Sequence, residues 1–248
     1  MTPLEIGALA AAGVIAGGLN AIVGSGSFVA FPTLLALGYS PVVANVTNRV
    51  GLVLGLFSGV AGYRRELSGQ RERVLLLGVP TLVGAAVGAA LLLVLPPVIF
   101  QRVAPALIII AIGLMLGGPR ISRALEKRSD AWWVKPALPA SIFLTAIYGG
   151  YFGAAMGVIL ISTLNVMVED SLQRLNGLKN VLAGLISLAA AVYFIIFAHV
   201  AWEAAIILAG SSIVGGWLGA SVGRRLSPTV LKWIIVVGGI AAVVKLVL

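Results

Sequence analysis

Apolar residues dominate this chain, so its informative positions are the places where apolar runs stop. Runs extend over 4–23, 27–38, 42–63, 74–95 and 98–117, then comes a charged stretch, GGPRISRALEKRSDAWWVK, and then runs over 136–155, 157–168, 172–198, 201–222 and 229–248. Most have the roughly 17–25 residues that carry a helix across a bilayer, and the short alternating strands of a membrane barrel are missing. Lipid offers the backbone no hydrogen bonds, so such segments must be helical. The pattern predicts an all-α integral membrane protein with five segments on either side of a basic linker: 1–117, 118–135 and 136–248.

The two groups of five read as one motif written twice. A shift of 130 places Arg49 on Lys179 and Tyr63 on Tyr193; after one gap, a shift of 131 places Gly84 on Gly215, Gly88 on Gly219, Ala89 on Ala220 and Pro97 on Pro228. Low-complexity helices match one another at many offsets, but a matched pair of membrane-embedded cations is a rarer coincidence. The second segment of each half is short. FVAFPTLLALG after GSGS and VILISTLNVM after GAAMG are each about 18 Å long as helices, well under a bilayer's roughly 30 Å.

Loop charge sets the number of crossings, because Lys and Arg accumulate on the cytoplasmic side. With five crossings per half, the basic loops 63–73, 118–135 and 223–228 share one face with Arg174 and Lys232, leaving only Arg102 and Lys245 outside. Four crossings would put 223–228 on the wrong face. An odd number inverts the second half relative to the first, a common plan of secondary transporters, with both termini outside. No Lys or Arg precedes Arg49, so the first segment reads as a retained span rather than a secretory signal.

Composition agrees with this reading. The chain has 248 residues, 60% of them hydrophobic and only 10% charged, with mean hydropathy +1.11. Its net charge of +9 is accounted for by basic loops rather than by a nucleic-acid partner. With no cysteine, disulfides, thiolate metal sites and thiol catalysis are excluded, and no metal or cofactor is expected.

Candidate chemistry centres on VANVTNRVGLVL, where Arg49 lies seven residues into the third segment. Lys179 of LNGLKNVL lies equally far into the eighth, so both reach roughly 10 Å into the membrane from opposite faces. A cation at such depth costs about 2.5–3.5 kcal/mol on insertion scales unless it is paired or hydrated. The eight acids, Glu5, Glu66, Glu72, Glu126, Asp130, Glu169, Asp170 and Glu203, all fall in loops or near segment ends, so both cations are expected to lack a carboxylate partner.

Asn45, Thr47 and Asn48 accompany Arg49, as Asn176 and Asn180 accompany Lys179. Amides beside a cation suit an oxyanion. Helices that begin inside the membrane aim free N–H groups at bound anions, which adds Ser25 and Ser27 of GSGS. Without carboxylates in the membrane, proton antiport through acids is disfavoured. An anion leaving a negative interior gains about 2.3 kcal/mol per charge per 100 mV, so export needs no coupling.

Other features read as structure. Gly13 and Gly17, Gly51, Gly55 and Gly59, and Gly215, Gly219 and Gly223 repeat every four residues, a spacing for close helix packing. Pro80 predicts a kink in the fourth segment. His199 and Trp132, Trp133 and Trp202 sit at segment ends as interfacial anchors.

The two-halved layout, GSGSFVAFPTLLALGYSP, ANVTNR, the YRR loop and GAAVGAALLLVLPP together resemble the sulfite exporter TauE/SafE family, the TSUP permeases, over nearly the whole chain. The resemblance implies a multi-pass transporter in a prokaryotic plasma membrane. Its partners would be the lipid bilayer and small sulfur-containing anions such as sulfite, thiosulfate or organosulfonates; a homo-oligomer is compatible with it. The family often shows a more glycine-rich first break and a Thr-Ser pair after the short segment, where this chain has GSGS and VTNR. An anion channel, or a permease for another oxyanion or a carboxylate, is the competing reading; an enzyme finds no nucleophile with a base in the membrane.

Overall fold

The computed structural model describes residues 1–22, 24–125, 134–222 and 228–247. They form ten helices and no strand: α1 (Pro3–Ile22), α2 (Ser27–Ala36), α3 (Pro41–Gly62), α4 (Arg71–Val94), α5 (Pro97–Leu125), α6 (Val134–Tyr151), α7 (Met156–Met167), α8 (Leu172–Phe197), α9 (Trp202–Val222) and α10 (Pro228–Val247). Nearly every boundary falls within a few residues of an apolar run. The exception is α5, which continues to Leu125, through the first part of the expected linker. Trp132 and Trp133, and Arg224 and Arg225 of the 223–228 loop, lie outside the described residues.

Local chemistry explains where the helices start. Proline leads α1, α3, α5 and α10, where its missing N–H costs nothing. Ser171 caps α8 by accepting the Arg174 backbone N–H. Pro80 does not stop α4, which runs unbroken to Val94; the next residue's hydroxyl, on Thr81, donates to the Leu77 carbonyl at 2.6 Å.

Among the described residues, four helices are long and apolar enough to cross a bilayer: Pro3–Ile22, Arg71–Val94, Leu172–Phe197 and Trp202–Gly219. Their outward faces are greasy. Leu75, Leu76 and Val79 of α4, Ile206 and Trp217 of α9 and Ile196 of α8 are exposed, a surface suited to lipid and not to water. α2 and α7 are only 10 and 12 residues long, as their short apolar runs predict.

Helix pairing repeats between the halves. α1 packs chiefly on α9, and α4 on α6; α3 also packs on α9, and α8 on α4. Shifting each helix number by five converts the first pairing of each set into the second. The glycines aligned in the sequence do matching work. Gly84 and Gly88 of α4 press on the backbone of α6 at Phe143 and Ile147, while Gly215 and Gly219 of α9 press on α1 at Val14 and Gly18. Gly13 and Gly17 meet α9 from the α1 side, and Gly51 and Gly55 meet it from α3.

Direction follows from the same contacts. Along α1 and α9, and along α4 and α6, touching residues rise together, so each pair is parallel. Between α3 and α8 they run oppositely: Arg49 meets Ser187, Gly184 lies against Phe57 and Val60, and Gly177 lies against Glu66. The two cation-bearing helices are therefore antiparallel.

Candidate functional site

The site forms where two chain breaks meet. Two residues beyond the ends of α1 and α6 stand glycines in the left-handed region, Gly24 and Gly153, each with φ +76°. There a side chain would be strained. The Gly24 N–H closes back onto the Leu19 and Asn20 carbonyls, and the Gly153 N–H onto the Tyr148 carbonyl. The breaks then touch. The Gly157 N–H points to the Gly24 carbonyl at 3.4 Å, and a Cβ on Gly24 would come within 2.6 Å of the Gly157 Cα. The starts of the short helices α2 and α7 are thereby brought together inside the protein.

The second break is held from below by aromatic packing. Phe152 stacks edge-on against Phe31 of α2 at 5.7 Å between ring centroids and lies 5.8 Å from Phe100 of α5. The Tyr148 hydroxyl donates to the Ala154 carbonyl, and Ala155 takes a left-handed conformation at φ 56°. With its ring anchored, Phe152 presents its carbonyl to the opposite half.

Arg49 receives that carbonyl. Its Nη2 donates to the carbonyls of Phe152, at 2.9 Å, and Gly149, and its Nη1 donates to Ser187 Oγ at 3.1 Å. Gly149 and Phe152 lie at the carboxyl end of α6, where helix carbonyls lack internal partners and carry partial negative charge. The side chain is only 5% exposed. Arg49 has three hydrogen-bond partners, all neutral. The expected lack of a carboxylate does hold among the described residues, since their ion pairs involve only the N-terminus, Arg73 and Arg174. The guanidinium thus has no counter-charge among the described residues.

Around Arg49 is a narrow cleft lined by Asn20, Ser27, Asn48, Gly153, Ala183 and Ser187, among others, with room for about one water. Asn48 donates to Ser27 Oγ at 3.0 Å, while its own Oδ1 is buried and unpartnered. Asn20 Oδ1 accepts the Gly26 N–H at 2.8 Å, tying α1 to the start of α2.

The structure thus brings Arg49, Asn48 and Ser27 together and disperses the other expected residues. Asn45 spends its amide on the Tyr151 carbonyl at 2.9 Å, outside the cleft. Thr47 turns toward the start of α9, accepting the Ala201 N–H at 3.1 Å. Ser25 is buried with an unpartnered hydroxyl, but it does not line the cleft. Asn176, Lys179 and Asn180 also lie outside the lining: Lys179 is eight residues, about 12 Å of helix, from the Ser187 that Arg49 touches.

Asn20 and Ser187 are additions to the sequence-based set. A lone amide in an apolar segment just before GSGS could have signalled Asn20. A serine among alanines and leucines gives no comparable signal for Ser187.

The sequence profile described as "Sulfite exporter TauE/SafE" matches residues 9–246. The chain belongs to that family. A "Probable membrane transporter protein" of Haemophilus influenzae is 25% identical over 236 residues, 95% of this chain and 91% of that one. "Probable membrane transporter protein YfcA" of Escherichia coli K12 is 26% identical, covering 91% of this chain and 82% of its own length. "Probable membrane transporter protein ORF9" of a Sinorhizobium species is 24% identical over 239 residues, 95% of this chain and 89% of that one. No solved structure gives a significant match. As a TauE/SafE protein with apolar helices, the chain is a multi-pass membrane transporter.

Proposed function

We propose that this transporter carries a small sulfur-containing oxyanion, of the class of sulfite, thiosulfate and organosulfonates, across a prokaryotic plasma membrane. It does so by alternating access, with two inverted halves moving around Arg49 and both termini outside. One observation carries the proposal: a guanidinium buried where the two helix breaks meet, held only by neutral acceptors and flanked by an amide and a hydroxyl. A planar fork of donors suits a trigonal or tetrahedral oxyanion. The family description, "Sulfite exporter TauE/SafE", supports the sulfur class.

The size of the cleft supports moving halves over a static pore, since an oxyanion larger than a water enters only if the walls separate. The antiparallel α3 and α8, and the mirrored pairings α1 with α9 and α6 with α4, support halves related by inversion. Purified Arg49→Gln protein in proteoliposomes tests the proposal. Saturable thiosulfate binding and flux should both disappear while the melting transition persists. Flux that survives undiminished contradicts it.

A further inference from the structure

The cleft does not account for Lys179. This side chain is 1% exposed, and among the described residues it makes no hydrogen bond and no ion pair. Its neighbour Asn180 is also buried, with an Nδ2 that finds no acceptor. Unsatisfied polar groups inside a membrane protein are costly, and a lone ammonium is the costliest.

Their place on α8 is informative. At about 100° per residue, Lys179, Asn180, Ala183 and Ser187 fall within an arc of roughly 100°, with Asn176 near its middle. Ala183 and Ser187 line the Arg49 cleft. The face that forms one wall of the cleft therefore continues toward the amino end of α8 as Asn180, Lys179 and half-buried Asn176. Glu66 is the competing partner. It lies beside Gly177, off this arc, and its Oε2 is buried and unpartnered, yet it forms no ion pair with Lys179.

We propose that Lys179 and Asn180 form a second station for a small oxyanion, on a path along this face of α8 between the Arg49 cleft and the amino end of the helix. The proposal rests on the anion-transport reading of Arg49. An anion released from Arg49 moves about 12 Å along α8 to an ammonium that holds no other partner. Arg49, with three neutral partners, sets affinity; Lys179, with none, sets the rate of passage.

The chain has no cysteine, so Lys179→Cys introduces a unique thiol. Radiolabelled thiosulfate flux in proteoliposomes should fall by about tenfold or more in this variant, while equilibrium thiosulfate binding stays within about threefold of wild type. Alkylation with 2-bromoethylamine, which releases bromide and leaves an aminoethyl thioether the length of a lysine, should restore flux. Iodoacetamide, which adds no charge, should not.

Wild-type flux in Lys179→Cys, full aminoethylation without recovery, or a thiol that never reacts in the reconstituted protein would each overturn the proposal. Should the cysteine variant not fold, Lys179→Arg and Lys179→Met replace it: flux retained only by arginine supports the station, and equal flux in the two refutes it. Failure of the parent reading looks different, since Arg49→Gln would then bind thiosulfate like wild type.

Discussion

Arg49 and Lys179 occupy matched positions on antiparallel helices, yet their surroundings differ completely. Arg49 crosses to the opposite half and takes carbonyls at the end of α6 together with a serine of α8. Lys179 takes nothing from the described residues. At the end of α1, the carbonyls of Leu19 and Asn20 already accept the Gly24 N–H, and the Asn20 side chain accepts that of Gly26. The matched positions of the two cations therefore do not bring matched partners. In a shared scaffold the two sites can therefore divide the work, one for holding an anion and one for passing it on.

Exchanging the head group tests this contrast hardest. Arg49→Lys keeps the charge but gathers its donors on one nitrogen, which cannot reproduce the planar fork that Nη1 and Nη2 spread toward Ser187 and the two carbonyls, and about 1–3 kcal/mol of stability should go with the lost bonds. Thiosulfate flux should fall by about a hundredfold, whereas Lys179→Arg should leave it nearly intact. Equal losses at both positions would erase the distinction.

Gly153→Ala comes next. Its Cβ would fall 1.8 Å from Arg49 Nη2, on a backbone already at φ +76°, so the guanidinium must leave its carbonyls. A loss of roughly 1–3 kcal/mol and about tenfold weaker binding are expected. Gly210→Ala, with nothing within 4 Å of its Cβ, should change neither.

A smaller effect belongs to the amino end of α8. Asp170 is pulled down to about 2: burial acts against ionisation, but hydrogen bonds from Arg73, Arg174 and the Ser171 N–H outweigh it. A depressed carboxylate stabilises the fold above its unfolded value of about 3.9, and that contribution is lost as pH falls through about 2. Melting temperature should therefore drop over this window in wild type, and less steeply in Asp170→Asn. Parallel curves would remove Asp170 from the α4–α8 contact.

Thr47→Val should have the least effect on transport. It unpairs the Ala201 N–H and costs about 1–2 kcal/mol, visible as a lower melting temperature, with flux per folded molecule unchanged. A selective loss of binding would return Thr47 to the site.

The helices were legible because apolar runs interrupted by glycine and proline leave few alternatives in a bilayer, and the breaks because GSGS and GAAMG coincide with short segments. Arg49 stood out because charge is scarce. Its partners were hidden because backbone carbonyls have no sequence signature, and only the fold brings the end of α6 to α3. Thr47 was separable in principle. Two residues from Arg49, it points about 160° away on the helix, toward α9. The polar stripe from Asn176 to Ser187 was half visible: the spacing places Lys179 and Asn180 on one face, but only the cleft identifies what that face borders.

Equilibrium binding of thiosulfate to purified Arg49→Gln and Lys179→Gln, measured side by side with wild type, tests the division of labour most directly. The account predicts no saturable binding in the first and near wild-type affinity in the second. Wild-type affinity in Arg49→Gln, or its loss only in Lys179→Gln, would contradict it.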